Sequence, residues 1–410
     1  MKRVLIVNAY GRSNRGDSVL LDECIAEIRE ALPTAELSGV LFEGLDDARR
    51  VHPDVVWTER IGNSHGRLHR ILTLVRLSIS LLAISLPGFR FERLLPKYQA
   101  ETVKQFRQSD IVVSAPGGYI HDTNFAYYIA IFHIYLAVFL GKTVVLAPQS
   151  IGPINGRFGR FAAKKVLSQV KYICTREGYS YNFLIGLGLD TESIYQTGDS
   201  AFWNEDVLDD DNIIGSALAE IGVVSNEKII GMTCVDWKFP QHQHPNAAKQ
   251  SYLNSMAQIA DFVYSVYGLR SVIFNQVNDD ISAALEIQKR ASSPVLVDRI
   301  PREPNTLRAL IRKSQIFIGT RFHSCIFALC LGRPTIAVSY LPKTEFIMKD
   351  LGLSHRVLNI DDLELQVAER LIRIDLADLA AAEVEIAGAV NRYRKKFKRL
   401  SAVINLIQTS

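Results

Sequence analysis

Arg321 and His323 stand two residues apart in Ile316-Phe-Ile-Gly319-Thr-Arg321-Phe-His323-Ser324. The first carries a planar cation that grips carboxylate or phosphate with parallel N–H donors; the second is the side chain best suited to move a proton near neutral pH. The segment turns from a strand-like run into the apolar helical run Ile326 to Leu331, and a helix N-terminus adds free N–H groups for an anion. A histidine at a helix start also serves as a cap or a satisfied core group, but the adjacent arginine favours anion binding. Ser324 follows directly, and Lys343, in Tyr340-Leu-Pro-Lys343, adds a cation after the next strand.

Five earlier loops offer further candidates. Asn14 and Asp17 lie in a polar, glycine-bearing loop that opens onto the helical pattern Val19 to Ile28. It lacks the glycine spacing that cradles dinucleotides or triphosphates, and Asp17 could equally cap the helix. Ser114-Ala-Pro-Gly117-Gly118-Tyr-Ile-His121-Asp122 precedes the helical run Phe125 to Leu140. Its glycines admit a close ligand or tight packing, and His121 with Asp122 forms an acid/base-capable pair. Gln149, in a rigid Pro-bounded turn, could contact a hydroxyl. Arg176 follows a fourth strand and offers a fork for carboxylate or phosphate, with a local pairing to Glu177 as the alternative. Asp199, in Thr197-Gly-Asp-Ser200, could hold an acceptor hydroxyl or cap a turn.

The elements that must position these residues alternate. Val4 to Val7, Ile111 to Ser114, Thr143 to Leu146 and Tyr172 to Cys174 read as strands, each followed by a loop and a helical pattern, which implies a doubly wound parallel sheet. An acidic stretch, Asn204 to Asn212, reads as a linker, and a second series begins with Ile229 to Met232 and continues through Ser271 to Phe274, Val295 to Val297, Ile316 to Ile318 and Thr335 to Val338. The expected division is an N-terminal domain over 1–204, a second over 205–375 and a helical tail over 376–410. The tail's basic run, Arg392 to Arg399, reads as a solvated face or a contact for acidic lipid.

With 410 residues, 48% hydrophobic and 22% charged, the chain suits two globular domains. A net charge of +4 does not by itself argue for nucleic acid, which is not expected as a partner; it suits an anionic substrate or membrane surface and leaves any basic site local. The five cysteines show no metal-ligand spacing or disulfide framework, and no His-x-x-x-His pair occurs, so no metal site is expected. The start, Met-Lys-Arg into Val4-Leu-Ile-Val7, reads as a strand rather than a signal peptide, which implies the cytoplasm. One segment stands apart. Ile71 to Phe89 is nearly all apolar and flanked by Arg67, Arg70, Arg90, Arg93 and Lys97. A spanning helix needs about 20 apolar residues, so this one, interrupted by Arg76, reads as a peripheral contact with the inner face of an anionic membrane or as a helix packed on protein.

Taken in order, Asn14-x-Gly-Asp17, Gly117-Gly118 through Asp122, Gln149-Ser-Ile-Gly152-Pro153, Arg176 with Ser180, Asp199, Arg321-x-His323 and Tyr340-x-x-Lys343 resemble the polysaccharide pyruvyl transferase family. The resemblance implies two Rossmann-like domains facing a cleft in the manner of GT-B glycosyltransferases. It also implies transfer of the enolpyruvyl unit of phosphoenolpyruvate, the co-substrate in place of any cofactor, onto a sugar as a cyclic ketal. Arg176, Arg321, His323, Ser324 and Lys343 would then face the donor, with His323 as the acid. Asn14, Asp17, Gly117, Gly118, His121, Asp122, Gln149 and Asp199 would face a sugar acceptor, lipid-linked or free, with Asp17 orienting its hydroxyls. The sequence departs from the family pattern at Pro116, where glycine is usual, and at Glu177, where aspartate is usual. A GT-B glycosyltransferase using a nucleotide sugar is the alternative, and a membrane-associated assembly factor with idle loops is a third.

Overall fold

The computed structural model describes residues 1–11, 14–63, 68–86, 88–123 and 125–409; Arg67 and Pro87 of the basic-flanked segment lie outside them. Two compact units emerge. The first comprises Met1–Arg12, Asp17–Ser200 and Phe397–Ser410, and the second Ser13–Gly16 and Ala201–Lys396.

The first unit contains strands β1 (Arg3–Ala9), β2 (Glu36–Leu41), β3 (Val56–Glu59), β4 (Ile111–Ser114), β5 (Gly117–Ile120), β6 (Thr143–Ile151), β7 (Tyr172–Thr175) and β8 (Ile194–Gln196). They pair in the order β3-β2-β1-β4-β6-β7-β8, with the short β5 also on β6. All pairings are parallel. Helices cover both faces of such a sheet, so its inner strands carry unbroken apolar runs; Val4, Leu5, Ile6 and Val7 are all fully buried. β2 was not legible as a strand because Gly39 interrupts its apolar run. Any Cβ there would lie 2.0 Å from the Trp57 ring, so the sheet requires the gap.

The second unit contains β9 (Ile229–Thr233), β10 (Arg270–Ile273), β11 (Val295–Val297), β12 (Ser314–Gly319), β13 (Thr335–Ser339) and β14 (Val357–Asn359), ordered β11-β10-β9-β12-β13-β14. These pairings too are parallel. The chain thus winds outward in one direction from β9 and then in the other from β12. Each unit is a Rossmann-like doubly wound α/β domain. In such sheets, ligands settle beyond the carboxyl ends of the strands where the winding reverses. Those points are the ends of β1 and β4 in the first unit and of β9 and β12 in the second.

The acidic stretch does not hang free. Asp210 caps the helix Asp211–Ile221 by accepting from the N–H groups of Asn212 and Ile213, and Arg308 holds both the carbonyl and the side chain of Asn204. The tail expected as a third segment is divided. Helices Leu365–Ala377 and Leu379–Lys396 belong to the second unit, whereas Leu400–Thr409 belongs to the first. There Leu400, Val403 and Ile404, spaced to share one helical face, join Cys24, Ile25 and Ile28 in the core. Its basic run is largely engaged by protein. Arg399 pairs with Glu23 at 3.2 Å and Glu30 at 2.9 Å, Lys396 with Asp350 at 3.1 Å, and Arg394 donates to the Phe202 carbonyl.

Glu27 anchors this last helix. Its carboxylate accepts from the Ser401 N–H at 2.8 Å while almost fully buried. Burial pushes its pKa up to about 7, against the lowering influence of Ser401 and Arg399. A raised folded-state pKa contributes stability below the unfolded value, lost as pH rises through the folded one. Glu27→Gln, which keeps an acceptor for Ser401, should therefore melt higher than wild type at pH 8, with the gap closing towards pH 5. Equal melting temperatures at both pH values would contradict this.

Candidate functional site

In the second unit, β12 ends at Gly319, and Arg321 is the N-cap of the helix Phe322–Cys330. This is one of the two strand ends at which the winding reverses. Nε and Nη2 of Arg321 donate to both carboxylate oxygens of Asp280, each at 2.6 Å. Burial alone would lower the guanidinium's pKa; Asp280, with help from Tyr340, outweighs it and holds the group above its ordinary value. Asp280 also accepts from the Asp236 N–H, so one carboxylate ties the loops after β9, β10 and β12 together. Arg321 is therefore not the uncommitted anion clamp that its sequence position suggests: Nε and Nη2 are taken by Asp280, and Tyr340 also interacts with the guanidinium. Ser324 likewise acts within the scaffold. Its hydroxyl bonds Thr233 Oγ1 at 2.8 Å and the Arg321 carbonyl at 2.7 Å.

His323 sits in the opening turn of the same helix, 5% exposed, its ring edge-on to Phe322. Asn14 and Gly16 belong to this unit rather than to the first. A Cβ at residue 16 would lie 2.0 Å from His323 Nδ1, so only glycine allows the backbone to back this ring. Asn14 Oδ1 accepts from the Gly16 N–H and from Gln276, and Asn14 bridges Val277. It shapes the His323 wall instead of an acceptor wall. Lys343 places its ammonium 4.8 Å from the centre of the Phe322 ring, half-buried and, among the described residues, with no carboxylate partner.

In the first unit, β1 and β4 end in a buried polar network. Asn8, in the left-handed region at φ 61°, donates to Ser114 Oγ at 2.9 Å and accepts from His133 Nδ1 at 2.8 Å. His133 accepts the Ile61 N–H through Nε2, which fixes its proton on Nδ1. Burial, with Arg60 nearby, pulls its pKa down to about 3. Ser114 continues to Tyr119, whose hydroxyl also receives the Gln149 amide at 2.9 Å. Gln149, fully buried, further donates to the Ala115 carbonyl; its amide thereby links β6 to the ends of β4 and β5.

Further candidates from the sequence make contacts within the first unit. Arg176 is 1% exposed, and its Nε lies 3.1 Å from Asp199 Oδ2, itself fully buried. Neither reaches solvent, and Arg176 lies in the first unit, whereas Arg321, His323, Ser324 and Lys343 lie in the second. Asp122 accepts from the N–H groups of Asn155 and Gly156 at the start of the helix Arg157–Leu167, and these bonds lower its pKa. Gly117 is needed because a Cβ there would press on the Tyr119 ring. Gly118 is exposed, while His121 and Asp17 are half-buried; Asp17 lies in the first turn of the helix Arg15–Ala31, and its charge helps burial to raise the Tyr10 pKa to about 12. No cluster of metal-ligating side chains occurs among the described residues.

Residues 14–342 match the family described as polysaccharide pyruvyl transferase. The chain belongs to the polysaccharide pyruvyl transferase family. The amylovoran biosynthesis protein AmsJ of Erwinia amylovora is 22% identical over 433 residues, spanning 98% of both chains. Among solved structures, S. aureus MnaA with UDP superposes with a TM-score of 0.63 at 14% identity over 100% of this chain and 96% of that one. Anabaena Alr3699/HepE with UDP and glucose gives 0.59 at 12%, over 100% and 98%. At such identities the likeness is one of fold, two Rossmann-like domains of the GT-B type. In this member of the family, many of the motif residues bond within the loops, and His323, Lys343 and Arg321 lie around the opening turn of the helix Phe322–Cys330. The sequence offered only one hint of Asp280, an Asp279-Asp280 doublet soon after β10.

Removing one partner of a sealed ion pair strands the other charge, at a cost of about 3 to 5 kcal/mol. Asp199→Ala should lower unfolding stability by that amount, read as a shift in the denaturant midpoint. An unmoved midpoint would show that Arg176 does not depend on this carboxylate.

Proposed function

We propose that this transferase moves the enolpyruvyl group of phosphoenolpyruvate onto two hydroxyls of a sugar, forming a cyclic ketal in the biosynthesis of a capsule, exopolysaccharide or cell-wall glycan. Family membership supports the reaction class. The observation that carries the residue assignment is the convergence of His323, Lys343 and Arg321 at the start of the helix Phe322–Cys330, where β12 ends.

Phosphoenolpyruvate brings a carboxylate and a phosphate. In this reading Lys343, Arg321 and the helix N–H groups hold them. His323 gives its proton to the methylene carbon, which becomes the methyl group. One sugar hydroxyl then adds to the central carbon and returns its proton to the imidazole. The second hydroxyl replaces the phosphate and loses its proton to it, so the products are the ketal and inorganic phosphate. Asp17, with Gly118 and His121, is assigned to the acceptor in the first unit, Asp17 orienting a hydroxyl.

Phosphate release from phosphoenolpyruvate in the presence of candidate sugar acceptors, free and lipid-linked, together with the mass gain of the acceptor, tests the reaction. His323→Ala should reduce kcat on the order of a hundredfold or more, the usual worth of a general acid. Lys343→Met should act mainly on KM for phosphoenolpyruvate. Near-normal turnover by His323→Ala would overturn the role assigned to it, and consumption of a UDP-sugar with no use of phosphoenolpyruvate would overturn the reaction itself.

A further inference from the structure

The helix His69–Ser85 in the first unit turns an apolar face outward. Thr73, Leu77, Ser80 and Ile84 are buried on one side, whereas Ile71, Leu74, Val75 and Leu82, whose spacing puts them on one helical face, are exposed, Ile71 at 60% and Leu74 at 54%. Leu68, Leu86, Phe89 and Leu94 extend the exposed apolar surface at both ends. Single exposed hydrophobics are ordinary, but a contiguous patch marks a contact. The polar groups along it are already satisfied: the hydroxyls of Ser78, Ser80 and Ser85 donate to the carbonyls of Leu74, Arg76 and Leu81, one turn back. They ask nothing of water. Charge is one-sided as well. From Leu68 to Lys97 the chain carries five Arg and Lys residues against one acid, Glu92, and that acid is bound by Arg107 at 2.6 Å. Arg70, Arg90, Arg93 and Lys97 are exposed. Among the described residues, no helix is long and apolar enough to cross a membrane.

We propose that this face docks on the surface of an anionic phospholipid bilayer, with Ile71, Leu74, Val75, Leu82 and Phe89 entering the acyl boundary and Arg70, Arg90, Arg93 and Lys97 meeting the head groups. An apolar stripe rimmed by cations complements that surface, and a purely apolar protein partner would leave the cations uncompensated. The inference stands apart from the reaction proposed above. Sedimentation of the full chain with phosphatidylglycerol-containing vesicles and with phosphatidylcholine vesicles tests it. Binding should be selective for the anionic vesicles and weaken with salt. The pair Arg90→Glu and Arg93→Glu should lower partitioning on the order of tenfold or more, and Leu74→Asp with Leu82→Asp should abolish it, both with an unchanged melting temperature because these side chains face outward. Absence of wild-type binding, equal binding to both vesicle types, or variants that only convert a dimer to a monomer while vesicle binding persists would each overturn the proposal.

Discussion

A guanidinium taken out of water must find acceptors, a carboxylate above all, or cost several kcal/mol, and this constraint organises the loops that matter in this chain. Three arginines obey it. Arg176 meets Asp199 in the first unit, Arg321 meets Asp280 in the second, and Arg356 meets Asp375 at 2.8 Å and Glu385 at 2.7 Å. In each case the partners come from different elements, so the pairing fixes one segment against another. Arg356 binds the two helices that follow β14 to the turn that leads into it. Arg321 binds the loop after β12 to the loop after β10. The residue type that a sequence reader takes for an anion clamp is, once buried, first a structural fastener, and what it retains for a ligand is whatever donors its partner leaves unused.

That ordering explains what the sequence disclosed and what it hid. The alternation of apolar runs with helical segments was enough to place β1, β4, β6 and β7 and most of the second sheet, because a doubly covered parallel strand must be apolar throughout. It failed for β2, whose glycine yields to Trp57, and for β14, a three-residue strand. Loops after strands were rightly singled out as the seat of polar residues. Which of those residues serve the fold was invisible, since the deciding partners lie far away in sequence: Asp280 is 41 residues from Arg321, and Glu27 is 374 from Ser401. The tail shows the same limit. Its helical spacing was plain, yet nothing local reveals that Leu400, Val403 and Ile404 complete the core of the first unit.

The two histidines near the strand ends show why burial and partners, rather than residue type, decide chemistry. His133 is enclosed in an apolar helix, with one nitrogen accepting a backbone N–H and the other donating to Asn8, and burial holds it neutral. A group so fixed cannot exchange protons with a substrate. His323 differs in its setting: it opens a helix, edge-on to Phe322, whose ring also carries Lys343, and it lies against a glycine that leaves room for nothing but the ring.

The same comparison extends to the amides and hydroxyls nearby. Asn8, Ser114, Tyr119 and Gln149 hydrogen-bond to one another where β1 and β4 end, which ties the strands in register. A buried network of this kind is costly to break, because any member left unpaired loses a hydrogen bond with no water to replace it. Gly118, His121 and Asp17, by contrast, are exposed or half-buried. Residues of that kind can change at little cost to the strands, because they are not members of the buried network.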